Sequence, residues 1–145
     1  MTHSCPISLH RVDSNVVRLI AVQVIMVSSL LILTHNLLFS LILLFDFLVR
    51  TLNLKTLSPF LIIAKRVIQT LQIQPQLCDE APKRFALYLG LAIVGFSTLL
   101  FLFGFLNTAI FMVSILIVCA SLEALFDYCI GCKIYHYLQF IRIKK

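Results

Sequence analysis

Charged residues are scarce in this 145-residue chain, where Asp, Glu, Lys and Arg together make up 12% of the positions. Soluble domains carry about 25% charged residues, so a soluble domain of this length could not cover its apolar surface. The same scarcity excludes intrinsic disorder, because disordered chains are rich in charge and poor in apolar bulk. The hydrophobic content of 61% and the mean hydropathy of +1.03 predict one integral membrane domain over residues 1–145.

Familiar catalytic signatures are absent from the sequence as well. It contains no glycine-rich phosphate loop, no Ser-His-Asp set and no His-Glu-x-x-His pattern, which disfavours a hydrolase or a nucleotide-dependent enzyme. We expect no cleavable signal peptide, because no short apolar segment with a small-residue cleavage site precedes the first apolar run. Whether the protein is an enzyme is left open at this point.

Two long stretches without formal charge, residues 19–45 and 85–122, determine the predicted architecture. A membrane-spanning helix needs about 20 apolar residues, so the second stretch is too long for one span and must fold back. Turn chemistry at residues 104–108 and a polar break at residues 34–36 mark the reversals. We predict an all-α membrane protein with four transmembrane helices in two hairpins, at about 16–34, 37–54, 85–106 and 108–130. The alternative is a single tilted helix in the first stretch, which gives three spans.

The segment between the two hairpins has a different pattern. Ser58 and Pro59 are typical of an N-cap followed by proline at the first helical position. Apolar residues then recur at helical spacing, while Lys65 and Arg66 fall largely on the other face. We predict an amphipathic helix over about 59–74 that lies in the membrane interface, because it is too short and too polar to span.

The positive charges predict the orientation. With four spans, all twelve Lys and Arg residues lie before the first span, between the hairpins or after the last span, and the two turns inside the hairpins have none. The positive-inside rule places that face in the cytoplasm. We therefore expect a multi-pass protein of the cell inner (cytoplasmic) membrane with both termini in the cytoplasm. We expect anionic lipid headgroups to be the partner of its excess positive charge, and we expect no nucleic-acid partner.

Cys129 and Cys132 form a C-x-x-C motif, which we predict at the C-terminal end of the last helix. Such a pair can exchange a disulfide or supply metal ligands. In a reducing compartment a structural disulfide is the less common use of two nearby cysteines. The helix dipole opposes a thiolate at a helix C-terminus, whereas the neighbouring Lys133 favours it. The alternative is two incidental cysteines in an apolar chain.

The remaining cysteines extend this hypothesis. Cys78 and Cys5 fall on the same predicted face as the motif and are candidate resolving partners, whereas Cys119 lies inside a span as a small buried hydrophobe. No cofactor is predicted. A metal ion bound by Cys5, Cys78, Cys129 and Cys132 is the alternative.

Ionisable residues within or near the spans form a candidate charge network at the cytoplasmic face. Asp46 and Arg50 are four residues apart in the second span and can form an ion pair on one helix face. Glu123 and Asp127 are likewise four apart near the end of the fourth span and need cations. The candidate cations are Arg18, Arg50, Lys83 and Arg84. A belt of ion pairs and a path for protons or anions are both consistent with such residues.

Several strings spread over nearly the whole chain resemble a small bacterial integral-membrane family known as domain of unknown function 4395. They are Val12-Asp13-x-Asn15-x-x-Arg18, Asp46-Phe47-x-x-Arg50, Ser58-Pro59, Asp79-x-x-Pro82-Lys83-Arg84-Phe85-Ala86-x-x-x-Gly90, Leu122-Glu123 and Cys129-x-Gly131-Cys132-x-x-Tyr135, with a similar Cys5-Pro6-Ile7-Ser8 start. The resemblance implies a four-helix membrane protein without a settled activity. Asp127 departs from it, because a small residue such as glycine is expected there.

The resemblance also bears on function, since members of that family are often considered beside thioredoxin-like and rhodanese-like proteins. It favours thiol–disulfide exchange or a sulfur-relay role in sulfur metabolism at Cys129 and Cys132, with a thioredoxin-like or rhodanese-like partner. One alternative hypothesis is a transporter for a small anion such as a sulfur oxyanion, which would require a homo-oligomer. Another is a structural or accessory subunit of a membrane complex.

Overall fold

The computed structural model describes residues 11–54 and 56–144, except for the side chains of Arg11 and Asp79. Within these ranges the chain is mostly helical and adds one short antiparallel ribbon. In chain order the elements are β1 (Arg11–Asp13), α1 (Ser14–Thr34), α2 (Leu37–Thr51), α3 (Pro59–Leu71), β2 (Leu77–Asp79), α4 (Glu80–Leu102), α5 (Leu106–Phe126) and α6 (Ile130–Ile143).

The first apolar run is divided into two helices at the polar break that the sequence predicts. α1 ends before His35, which adopts a left-handed conformation with φ 50°, and the side chain of Asn36 caps α2 by accepting the N–H of Leu38. The single tilted helix is therefore wrong for this stretch. Short polar side chains made the break possible without any Gly or Pro.

Three of the described helices, α1, α4 and α5, are long and apolar enough to cross a membrane. Three such long apolar helices are typical of a membrane protein. α2 is shorter, with 15 residues. At about 1.5 Å per residue it falls short of the ~30 Å hydrocarbon core.

α3 begins where the Ser58-Pro59 pattern predicts it. The Ser58 hydroxyl accepts the N–H of Leu61, and Pro59 occupies the first turn. The helix ends at Leu71, before the predicted boundary near 74, because Gln72 adopts a left-handed conformation. Its contacts are made mainly with α1.

Four helices pack as a closed ring. α1 contacts α2 and α5, and α4 contacts the same two helices from the other side, while α6 packs on α4. Each of the four contributes one apolar side chain that is almost fully buried: Leu31, Leu43, Val94 and Val113. A buried hydrogen bond of 2.7 Å between the hydroxyls of Ser40 and Thr98 joins α2 to α4. Small and polar residues at such contacts let apolar helices associate where lipid offers no hydrophobic driving force.

The ribbon aligns the helices at one end of the ring. β1 leads directly into α1 and β2 into α4, and the strands pair with Val12 opposite Cys78. α1 and α4 therefore begin at the same end, and the hairpins bring α2 and α5 back to it. We call this the charged end, because the loops at the opposite end, residues 35–36 and 103–105, contain no Lys, Arg, Asp or Glu.

The second apolar run folds back earlier than predicted and also ends earlier. α4 runs from Glu80 to Leu102 instead of 85–106, and the reversal occupies residues 103–105, where Gly104 has φ 80°. α5 runs from Leu106 to Phe126, so the predicted span 108–130 starts two residues and ends four residues too late. Cys129 consequently does not lie at the end of the last span, and a further helix, α6, begins immediately after it.

The close approach of α2 and α4 yields a prediction for Gly90→Ala. A Cβ at Gly90 would overlap the buried Phe47 ring, whereas a Cβ at Gly95 would have Leu44 Cδ1 as its nearest neighbour at 3.8 Å. We expect Gly90→Ala to lower the free energy of unfolding by about 1–3 kcal/mol. Gly95→Ala is the matched control and should be neutral or raise stability by up to ~1 kcal/mol. Thermal unfolding in detergent measures both, and equal midpoints for the two variants would contradict the packing.

Candidate functional site

Cys129 is the N-cap residue of α6. Its backbone is extended, with φ −89° and ψ 109°, and its sulfur accepts the backbone N–H of Cys132 at 3.3 Å. A helix N-terminus carries partial positive charge and unsatisfied N–H groups, and both stabilise a thiolate. The expectation that the motif lies at a helix C-terminus with an opposing dipole is wrong. The helix dipole at Cys129 favours a thiolate instead of opposing it.

The backbone turn that separates α5 from α6 is centred on Asp127. This residue is left-handed at φ 52°, and its N–H bonds to the carbonyls of Glu123 and Leu122 as a C-cap. Glycine is the usual residue in this conformation, and Asp is among the few others that tolerate it. The Asp127 carboxylate accepts a hydrogen bond of 2.8 Å from the Ser14 hydroxyl and lies 4.0 Å from Lys83 Nζ. Asp127 stands where the sequence resemblance predicts a small residue such as glycine, and its side chain makes contacts to α1 and α4 that glycine could not make.

Gly131, between the two cysteines, permits α6 to contact α4 directly. A Cβ there would lie 2.6 Å from Ala86 Cβ and 2.7 Å from Ala86 Cα. The second of these atoms is backbone, so no side-chain rotation could relieve the clash. The Phe85 and Tyr135 rings pack 5.8 Å apart along the same contact. The N-terminus of α6 is thereby fixed against the charged end of the ring.

The pKa values of the two thiols are shifted in opposite directions. A hydrogen bond from the Cys132 thiol lowers the pKa of Cys129, and this outweighs partial burial and the negative charge of Glu123, which act in the other direction. The same hydrogen bond, followed by burial, raises the pKa of Cys132, because losing its proton would remove the bond. Cys129 is therefore the more acidic of the two thiols.

A cavity of about 560 Å³ lies among the helices, and Cys129 forms part of its wall. Apolar residues from all four ring helices line most of it, among them Val16, Ile20, Phe47, Ile93, Leu116 and Ala120. Toward the charged end the lining becomes polar, with Arg50, Lys83, Arg84, Glu80 and Glu123. Ligand sites are typically apolar concavities of ~300–1,000 Å³ with a few polar groups. The cavity could not be predicted from the sequence, because its wall is assembled from distant segments.

Several residues of the predicted charge network make contacts between helix ends. Asp46 is fully buried and accepts hydrogen bonds from Ser58, at 2.6 Å, and from Arg50, at 3.4 Å. The Arg18 guanidinium donates to the carbonyl of Ala124 at 3.1 Å, near the end of α5. These contacts join α2 to the start of α3 and α1 to the end of α5.

The other cations of the network are also engaged. Arg84 bonds to Glu80 at 2.8 Å and to Asn53 at 2.6 Å, and the Lys83 ammonium lies near Asp127 and within 3.5 Å of the Ser14 hydroxyl. Glu80 and Ser14 were not singled out from the sequence. A carboxylate in the first turn of α4 is the signal that could have identified Glu80.

Glu123 differs from the other acids of the network. Within residues 11–54 and 56–144 its carboxylate makes no hydrogen bond, and it lines the cavity, where the charges of Lys83 and Arg50 attract it. The i,i+4 relationship to Asp127 does not place the two side chains in one ion pair, because α5 ends between them.

The remaining cysteines do not extend the site. The half-buried Cys78 thiol in β2 donates to the carbonyl of Val12 at 3.3 Å and is not part of the cavity wall, whereas Cys119 in α5 is. Cys5 lies outside the described residues. In the described ranges no group of three or more His, Cys, Asp or Glu side chains is arranged to hold a metal ion.

Comparison with known proteins identifies the family. The family model described as "Domain of unknown function (DUF4395)" matches residues 12–139. The chain belongs to the DUF4395 family. The resemblance seen in the sequence is thereby confirmed. No curated protein and no solved structure matches the chain. For this DUF4395 member, function must therefore be inferred from the site itself.

The capping geometry predicts the pH dependence of Cys129. Because its pKa is lowered, its alkylation rate should reach half-maximum at a pH below the ordinary cysteine value of ~8.5. Cys132→Ala removes the hydrogen bond that is the largest cause of the shift. We expect the midpoint to move upward by about one to two pH units, as a hydrogen bond to a charged group is worth ~1.5–3 kcal/mol.

The measurement is the rate of iodoacetamide labelling at Cys129 against pH, followed by mass spectrometry in detergent. Cys119→Ala is the control and should leave the midpoint where it is. An unchanged midpoint in Cys132→Ala would contradict the assigned hydrogen bond.

Proposed function

We propose that the protein is a membrane-embedded thiol–disulfide exchange protein in which Cys129 is the nucleophile and Cys132 the resolving thiol. The observation that carries the proposal is the position of Cys129 as N-cap of α6, with its sulfur accepting the N–H of Cys132. A thiolate at a helix N-terminus next to a second, protonated thiol is the arrangement that disulfide exchange requires.

The proposed chemistry balances on these two residues and a partner disulfide. The Cys129 thiolate attacks one partner sulfur, the partner S–S bond breaks, and a mixed disulfide forms while the other partner sulfur leaves as a thiolate. Cys132 then attacks the Cys129 sulfur, its proton passes to the departing thiolate, and the mixed disulfide breaks. The partner ends reduced, with one thiol and one thiolate, and Cys129 and Cys132 end as a disulfide.

The acidities support this order of events. Before attack, the hydrogen bond to the Cys129 thiolate keeps Cys132 protonated and unreactive. Once Cys129 is in a mixed disulfide it carries no charge, so the bond that raised the pKa of Cys132 is lost. Cys132 becomes a better nucleophile only at the step in which it is needed.

A sulfur-relay role uses the same nucleophile and stays within the proposal, with a persulfide sulfur carried on Cys129 and a thioredoxin-like or rhodanese-like partner. Cys78 and Cys5 remain proposed resolving partners. Anion transport has less support, because Arg50, Lys83 and Arg84 each lie beside a carboxylate: Asp46, Asp127 and Glu80 respectively. An accessory role has no particular contact in its favour.

We also propose a placement in the inner membrane. α1, α2, α4 and α5 would all cross, with the charged end in the cytoplasm, both termini on that side and α3 in the interface. The exposed face of α2 supports its crossing, since it presents Leu38, Leu41, Phe45 and Leu48 outward. α3 exposes Lys65 and Arg66 while burying Phe60, Ala64 and Ile68.

The proposed orientation predicts the labelling of two introduced cysteines. In intact cells a membrane-impermeant maleimide should label His35→Cys in the outer loop, since the positive-inside rule places that loop outside. It should label the matched variant Gln69→Cys, on the exposed side of α3, only after lysis. The reverse pattern would overturn the orientation.

The exchange proposal predicts different outcomes for the two thiols. With a small aromatic disulfide as substrate, Cys129→Ser should reduce exchange to background, because the nucleophile is lost. Cys132→Ser should stop after the first step and accumulate the mixed disulfide on Cys129, visible as added mass. Cys119→Ser is the control and should exchange at the wild-type rate. Wild-type exchange by Cys129→Ser would end the proposal.

A further inference from the structure

The cavity beside Cys129 has more room and a more apolar wall than disulfide exchange with a protein partner needs. Its volume of about 560 Å³ extends from the thiol into the interior of the ring, past Ile20, Ile93 and Ala120. Those side chains lie on helices that are apolar enough for a membrane. A peptide disulfide reaching the charged end would occupy little of this volume, so the wall fits an apolar small molecule.

The polar end of the cavity contains both hydrogen-bond donors and a hydrogen-bond acceptor. Lys83 and Arg50 are donors, and Glu123 is a carboxylate that makes no hydrogen bond in the part of the chain that the structure describes. Cys129 lies in the same wall. A ligand that fits must therefore combine an apolar body with a polar head that both accepts and donates hydrogen bonds. Its head would rest beside a reducing dithiol.

We propose that this cavity binds a lipid-soluble quinone, which oxidises the Cys129–Cys132 dithiol. The inference rests on the proposed thiol exchange function taken in the reverse direction, in which the Cys129–Cys132 disulfide oxidises a partner dithiol. It names the electron acceptor that would then regenerate the disulfide. A quinone has carbonyl oxygens that accept hydrogen bonds from Lys83 and Arg50. The hydroquinone formed from it has hydroxyls that donate to Glu123, and its tail is as apolar as the cavity wall.

The redox step balances with these groups and one proton from water. The Cys129 thiolate and the Cys132 thiol form one S–S bond as the S–H bond of Cys132 breaks, which releases two electrons and one proton. The quinone takes up both electrons, and its two carbonyl oxygens become hydroxyls by taking up this proton and a second one from water. The dithiol is oxidised and the quinone is reduced to a hydroquinone.

The test uses the full chain, reduced and purified in detergent, with decylubiquinone as the probe in the absence of oxygen. Hydroquinone is followed by ultraviolet absorbance, and the thiols that disappear are counted by alkylation and mass spectrometry. We expect one hydroquinone for each Cys129–Cys132 disulfide, and none with Cys129→Ser. Exchange with the small aromatic disulfide is measured on the same samples.

Two cavity-filling variants test the binding site. Ala120→Phe and the smaller change Ala21→Leu both fill the lining, and Val118→Phe adds the same ring as the first on the lipid-facing side of α5. We expect the filling variants to lower the rate of quinone reduction about tenfold or more, equivalent to ~1.4 kcal/mol of binding. Their exchange with the aromatic disulfide should be unchanged, and Val118→Phe should match the wild type in both assays.

The outcomes separate this inference from the function on which it rests. A wild type that exchanges with the aromatic disulfide but does not reduce decylubiquinone overturns the quinone site and leaves the exchange proposal standing. A wild type that reacts with neither overturns both. If Ala120→Phe fails to fold, Ala21→Leu decides the location, and wild-type quinone reduction at Ala21→Leu excludes the cavity.

Discussion

The contacts of Asp127 determine the geometry of the thiol site. Its left-handed conformation ends α5, and its carboxylate is held by Ser14 at the start of α1 and lies close to Lys83 in the first turns of α4. If α5 continued past this residue, Cys129 and Cys132 would lie on a helix C-terminus facing an unfavourable dipole. Because the chain turns instead, the same motif opens a new helix, and the dipole and the free N–H groups favour a Cys129 thiolate.

A second constraint comes from the apolar surroundings, in which unpaired charge is costly. The buried carboxylate of Asp46 is satisfied by Ser58 and Arg50, and Arg84 is bound by Glu80 and Asn53. These contacts connect the ends of successive helices, so the charges that the membrane tolerates at one end also hold the ring together there. Glu123 is the exception among the described acids, since it lines the cavity without a hydrogen bond.

Local signals predicted much of the fold. The Ser58-Pro59 pair marks the start of α3, the polar residues near His35 mark the break between α1 and α2, and Gly104 lies in the reversal between α4 and α5. Each of these acts through neighbouring residues, by capping or by a backbone conformation that only certain residues adopt. Family membership could also be recognised from short strings, because those residues stand at fixed spacing.

The end of α5 could not be predicted in the same way, because no Gly or Pro lies between Glu123 and Ile130 and Asp127 is the one charged residue between them. The helix ends where Asp127 turns left-handed, and its carboxylate there accepts a hydrogen bond from Ser14, which is 113 positions away. The close approach of Gly131 to Ala86 and the cavity wall likewise depend on segments that meet only when the ring closes.

Composition and charge pattern by themselves therefore determined that this is an apolar, mostly helical chain with its charges gathered at one end, since burial and the cost of charge in lipid act on every residue separately. Only the tertiary structure decided that Cys129 begins a helix, that Cys132 hydrogen-bonds to it and that a cavity adjoins the pair. The reason is physical: a thiol's acidity depends on the dipoles and hydrogen bonds around it, and distant segments place those groups.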